Sequence, residues 1–278
     1  MLNTPDLRGH TVLALHAHPD DEAIFTGITL RRLADAGARI VLVLATAGEL
    51  GESRVPLAPG ETVAHRRITE LERSAELLGV TRLVLLGRRD SGLPGWRSGA
   101  HPMAMAGADH RELARRIAAM AESESAQTLI YDDADGIYGH PDHRVAHVVG
   151  AAAARLTGAD SYRITVDRDH LDASVPGRHL VHGAADAAAV RYGRAAAEIT
   201  LAVPGSPTHL ADKYAAITAH ASQVDPAWLP ADDFASAYGT EWYRHRGAPG
   251  LLHLLSATPP AAAASTGVRV RAAVAAVR

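Results

Sequence analysis

The stretch Thr11-Val12-Leu13-Ala14-Leu15-His16-Ala17, followed at once by His18-Pro19-Asp20-Asp21-Glu22, decides how the chain is read. A short, almost wholly apolar run of this kind predicts a strand buried on both faces, as in a parallel sheet. Downstream, Ala23–Ala36 carries helical spacing at Ile24, Ile28, Leu30 and Leu33, and Gly37 supplies a stop. Arg39–Ala45 predicts a second strand, Glu61–Leu78 a long helix closed by Gly79, and Thr81–Leu86 a third strand. After a Gly/Pro-rich loop over 87–107 come a helix at Asp109–Ala121, a strand at Thr128–Tyr131 and a helix to about Leu156. Pro141 fits the first position of that last helix. The alternation argues for an α/β fold, a Rossmann-like and mainly parallel sheet with helices on both faces. A dinucleotide site is excluded, because the turn after the first strand lacks the G-x-G-x-x-G pattern.

The pattern thins beyond Ser161. It still predicts strands at Ile164–Val166 and Ile199–Val203, a helix at Leu210–Ala219, and edge strands at Glu241–His245 and Leu251–Leu255. These form a smaller C-terminal extension of one domain spanning 1–258, and the Ala/Pro/Ser-rich 259–278 reads as a flexible tail. The 278 residues are 47% hydrophobic and 21% charged, ordinary for a globular protein, and only 4% aromatic, so the core rests on aliphatic side chains. A net charge of −3 without a Lys/Arg block argues against nucleic acid as a partner. No apolar run reaches the roughly 20 residues that span a bilayer, and the N-terminus has no signal-peptide pattern, so a cytoplasmic location is expected. With no cysteine, any metal must be held by His and carboxylates.

Ligands of open α/β sheets bind outside the carboxyl ends of the strands. Two such ends carry related clusters, His18-Pro19-Asp20-Asp21-Glu22 and Tyr138-Gly139-His140-Pro141-Asp142-His143. His18, Asp21 and His143 would supply the two-His, one-carboxylate set of a catalytic zinc site. Asp20, left over beside it, could take a proton from metal-bound water, whose pKa zinc lowers to roughly 7. His140 could donate to the oxyanion or protonate the leaving amine. Either cluster alone also suits N-cap and first-turn residues of the following helix. Two His/Asp clusters at two strand ends, however, have no packing rationale.

The run AHPDDE after a first strand with GHPDH after a later one resembles the PIG-L/LmbE-like N-acetylglucosaminyl deacetylase family. Thr46-Ala47-Gly48-Glu49-Leu50-Gly51, Arg67-Ile68-Thr69-Glu70-Leu71 and Arg89-Asp90-Ser91-Gly92 are similar to further family stretches, and the likeness covers roughly residues 10–150. The resemblance implies His18, Asp21 and His143 as zinc ligands and Asp20 as general base. It implies His140 as electrostatic stabiliser or acid, Tyr138 as a mobile oxyanion donor, and Arg67, Asp90 and Glu49 as substrate contacts. Each of the last three has a plain structural reading too: a helix ion pair, a turn residue and a loop acid. Lys213, His220, Ser222 and Gln223 resemble a K…H-x-S-Q segment of some members, to which no role is assigned.

The function this implies is zinc-dependent N-deacetylation of a small substrate, an N-acetylglucosamine-type or other N-acyl amino sugar. A mycothiol-conjugate-type amidase is the alternative within hydrolases. Two His and one carboxylate also describe non-haem Fe(II) oxygenases, so Fe(II) is a possible metal, but those use H-x-D on a β-barrel. A non-catalytic metal or sugar-binding module would lack the base, and Asp20 is present.

Overall fold

The computed structural model describes residues 5–256, so the expected tail at 259–278 lies outside the described residues. The first half runs β1 (Thr11–His16), α1 (Asp21–Asp35), β2 (Arg39–Thr46), α2 (Val63–Leu78), β3 (Arg82–Arg88), α3 (His110–Ser123) and β4 (Thr128–Asp132). A distorted turn, α4 (Gly136–Gly139), leads to α5 (Pro141–Thr157), then β5 (Asp160–Thr165), α6 (Arg168–Ser174) and α7 (Leu180–Ala188). The chain continues through β6 (Leu201–Pro204), α8 (Pro207–Ala219), α9 (Phe234–Tyr238) and β7 (Thr240–His245).

The strands form one seven-stranded sheet in the order β3-β2-β1-β4-β5-β7-β6. β1 pairs in parallel with both β2 and β4, and β7 runs antiparallel between β5 and β6. Strand order reverses direction at β1 and β4, so the crevice between their carboxyl ends is the topological switch point where such sheets bind ligands. Side-chain alternation divides the core. Val12 and Ala14 of β1 pack on the α1, α2 and α8 side, whereas Leu13 and Leu15 pack with Leu113, Ile117 and Val149 of α3 and α5. Each such fully buried aliphatic side chain contributes roughly 1.5–3 kcal/mol.

The C-terminal third departs from expectation in two places. Leu251–Leu255 is a 3-10 turn rather than an edge strand, with Leu251, Leu252 and Leu255 buried at a helical spacing. Glu241–His245 does form a strand, but an interior one, because β6 covers its outer edge. Among the described residues, no helix is long and apolar enough to cross a membrane.

Candidate active site

β1 ends at His16 and α1 begins at Asp21, which leaves His18, Pro19 and Asp20 as the turn at the switch point. Asp20 stands at the N-cap position of α1, yet its side chain makes no cap hydrogen bond. Its backbone takes φ 100°, a conformation unusual for a side-chain-bearing residue. Two neighbours hold it there. Glu22 Oε2 accepts the Asp20 N–H at 3.0 Å, and Arg67 Nη2 donates to Asp20 Oδ2 at 3.0 Å. Burial raises the Asp20 carboxyl to about 6, with the Arg67 cation working against that rise.

Asp21 Oδ2 lies 3.7 Å from His18 Nδ1 and 3.4 Å from His143 Nε2, so the three residues expected as metal ligands converge. The cluster is wider than that set. Donor atoms of His18, His140 and His143 fall within 4.8 Å of one another, as do those of His18, Asp90 and Asp142. The second ring nitrogen of each expected His ligand faces a buried carboxylate: His18 Nε2 is 3.2 Å from Asp142 Oδ2, and His143 Nδ1 is 3.0 Å from Asp132 Oδ2.

The loop from β4 to α5 presents Tyr138 and His140. Ile137 has φ 57°, an outlier for a β-branched residue, and Asp133 Oδ1 accepts its N–H at 3.1 Å while Gly193 N–H donates to its carbonyl at 2.7 Å. Arg194 pairs with Asp133 and Asp135 and fastens the loop from outside. Tyr138 Oη lies 3.0 Å from His143 Nε2. Burial, together with Asp21 and Asp20 nearby, pushes the Tyr138 hydroxyl well above its usual range, so it stays a donor. His140 Nδ1 accepts the Asp142 N–H at 3.2 Å as the N-cap of α5, which leaves the ring proton on Nε2. Burial and the imidazoles of His18 and His143 lower His140 to about 2, so the ring is neutral.

A cavity of about 260 Å³ opens over this cluster, lined by Asp20, Arg67, Asp90, Trp96, His140 and Gln223 among others. Arg67 lines the cavity with its guanidinium already engaged by the protein. It is buried and donates to the carbonyls of Gly48, at 2.7 Å, and Pro19 as well as to Asp20. A side chain at Gly48 would overlap that guanidinium. Asp90 does line the cavity, 3.6 Å from His18 Nε2, while its Oδ1 accepts the Gly92 N–H at 2.8 Å. Glu49 does not line it. Its Oε1 accepts from Arg89 Nε and from the Asp90 N–H, both at 3.2 Å, and so braces the loop that carries Asp90.

Several contributors were not read from the sequence. Asp132 and Asp142 stand behind the two histidines, and their signal was present: one closes β4 and the other lies inside the second HPD run. The Lys213–Gln223 segment also finds its place. Lys213 pairs with Glu241 at 2.7 Å, His220 with Glu22 at 2.7 Å, Ser222 N donates to Glu70 at 2.9 Å, and Gln223 reaches the cavity. No local signal could reveal these partners, which lie 28 residues away for Lys213, 152 for Ser222 and 198 for His220.

An open, mainly parallel sheet with a His/Asp cluster at its switch point defines the class, an α/β protein with a candidate metal site. The family model described as PIG-L: GlcNAc-PI de-N-acetylase matches residues 13–154. The 1D-myo-inositol 2-acetamido-2-deoxy-alpha-D-glucopyranoside deacetylase of Salinispora arenicola is 33% identical over 268 residues, covering 87% of each chain. The protein of the same name from Nakamurella multipartita is 37% identical over 249 residues, covering 81% of this chain and 82% of its own. In fold, the chain is similar to the N,N'-diacetylchitobiose deacetylase from Pyrococcus horikoshii, with a TM-score of 0.53 at 23% identity, over 87% of this chain and 85% of that one. The chain belongs to the PIG-L family and is a hydrolase acting on a non-peptide C–N amide bond. The amidase, Fe(II) oxygenase and non-catalytic readings are not favoured by this membership.

Proposed function

We propose that the chain removes the acetyl group from the 2-acetamido nitrogen of an N-acetylglucosamine glycoside, with Asp20 as general base beside a zinc ion. The observation that carries the reading is the position of Asp20: strained, uncapped, raised by burial and turned into the cavity beside His18 and Asp21. The relatives' name supports a 1D-myo-inositol glycoside as the particular substrate. Exposed Trp96 at the cavity wall offers a flat apolar surface to a sugar ring, and Asp90 an acceptor for its hydroxyls.

The donor set fits zinc. His143 Nδ1 and both Asp132 carboxylate oxygens have no other hydrogen-bond partner although buried, an arrangement in which the carboxylate fixes the ring and leaves Nε2 to ligate. Asp142 does the same behind His18, which leaves Nδ1 facing Asp21. His140 Nδ1 is committed to its helix cap. His18, Asp21 and His143 would therefore hold the metal, which supplies Lewis acidity and an acidified water. Two nitrogens and one oxygen would also accept Fe(II).

The remaining chemistry falls to side chains. Asp20 takes the proton of the attacking water and is positioned for it by Arg67 and Glu22. The neutral His140 Nε2–H and the Tyr138 O–H donate to the developing oxyanion. The C–N bond then breaks, and the proton passes to the departing amine.

Zinc-supplemented protein should release acetate from 1D-myo-inositol 2-acetamido-2-deoxy-alpha-D-glucopyranoside and from simple N-acetylglucosaminides. Absence of acetate from every glycoside would refute the reading. Protein purified from cells without added metal should contain zinc; iron alone would overturn that part. A cytoplasmic location belongs to the same reading, and recovery in a membrane or periplasmic fraction would overturn it.

A further inference from the structure

A second cavity, of about 190 Å³, adjoins the first and shares Asp20, Tyr138 and Gln223 with it. Its character is different. Beyond that junction and Asp21 it is walled by Ile24 and Phe25 of α1, Val181 and Ala184 of α7, and Val224 after α8. Val181 and Ala184 stand three residues apart on one face of α7, and His179 caps that helix through Nδ1 at 3.1 Å from the Val181 N–H.

We infer that this apolar cavity is an acyl-chain subsite, and that the enzyme hydrolyses N-acyl amino sugars with chains longer than acetyl. The inference rests on the deacetylase reading above. A planar trans amide places its acyl chain and its sugar carbon on opposite sides of the C–N bond, and the carbonyl carbon must lie beside Asp20 and Tyr138. The polar cavity with Arg67, Asp90 and Trp96 takes the sugar, so the acyl group enters the apolar one. An acetyl methyl fills little more than the roughly 30 Å³ share of one liquid water, and the cavity is several times that volume. Each additional buried CH₂ is worth up to roughly fourfold in kcat/KM. The reaction balances as any amide hydrolysis: the acyl C–N bond breaks, a C–O bond to the water oxygen forms, and a water proton leaves with the amine.

The test uses the full chain with zinc and the methyl glycosides of N-acetyl-, N-propionyl-, N-butyryl- and N-hexanoylglucosamine, read by release of free amine. N-butyryl should reach at least about one tenth of the N-acetyl kcat/KM; a lower value overturns the subsite. Ala184→Phe and the milder Ala184→Leu, both shortening the cavity, should raise the acetyl-to-butyryl preference at least about tenfold. An unchanged preference overturns it as well. The acetyl rate reports whether each variant is folded. Acetyl cleaved without butyryl sinks the subsite and spares the deacetylase reading, whereas no cleavage of any member sinks both.

Discussion

His220 Nε2 lies 2.7 Å from Glu22 Oε1, and neither side chain reaches solvent. Burial opposes both charges, yet each holds the other: the Glu22 carboxyl lies below its usual range and the His220 imidazole above. Through Glu22 Oε2 on the Asp20 N–H, this pair connects the C-terminal segment to the turn that carries Asp20. Removing one partner of a buried pair leaves the other uncompensated, at roughly 3–5 kcal/mol. His220→Ala should therefore lower unfolding free energy by about 3 kcal/mol in urea titrations. A loss under about 0.5 kcal/mol would show that the pair is not ionised.

Lys213 and Glu241 form a second such pair. Glu241 accepts the N–H groups of Ile28 and Thr29 inside α1, both at 2.8 Å, as well as Lys213 Nζ at 2.7 Å. Lys213→Met should cost roughly 3–5 kcal/mol. Adding Glu241→Gln, which removes the uncompensated charge but keeps only one of the two acceptors for the helix, should recover part of that loss in a double-mutant cycle. Additive losses would rule out the coupling.

His179 contributes to the pH dependence of stability at mild acid pH. Its ring is buried, stacked on Tyr238 at 4.3 Å, and faces Lys213 and His182. Burial first, then those two groups, lower its pKa well below the usual histidine value. Between that lowered value and about 6.5 the unfolded chain binds the extra proton, so this contribution is complete above pH 6.5 and declines as pH falls. His179→Asn keeps a capping acceptor without a titration. Urea unfolding across pH 5–7 should show wild type losing up to about 1.4 kcal/mol per pH unit more than the variant. Parallel profiles would contradict the assignment.

Asp132 positions His143. Asp132→Asn should reduce metal affinity or kcat/KM roughly 10–100-fold with little change in fold. Competition with a zinc chelator checks the first, and unchanged affinity together with unchanged turnover would remove Asp132 from the site.

The succession of elements from β1 to β4 was legible because each strand carries a short apolar run, and Gly37 and Gly79 end their helices as expected. His18, Asp21 and His143 converge as their two motifs predicted. The protein partners of Arg67 and Glu49 were not legible, because spacing shows that a residue is near a site but not which carbonyl or loop it satisfies. Leu251–Leu255 misled because a short apolar run carries no period. α6 and α7 went unread, and with them the apolar cavity, because helices of 7 and 9 residues are too short to establish a period.

The central claim is that Asp20 is the base and not a metal ligand. Wild type and Asp20→Asn, purified in parallel, should be measured for bound zinc and for acetate release from the inositol glycoside. The account predicts equal zinc content and a kcat reduced at least about 100-fold in the variant. Turnover near wild type, or loss of zinc along with activity, would contradict it.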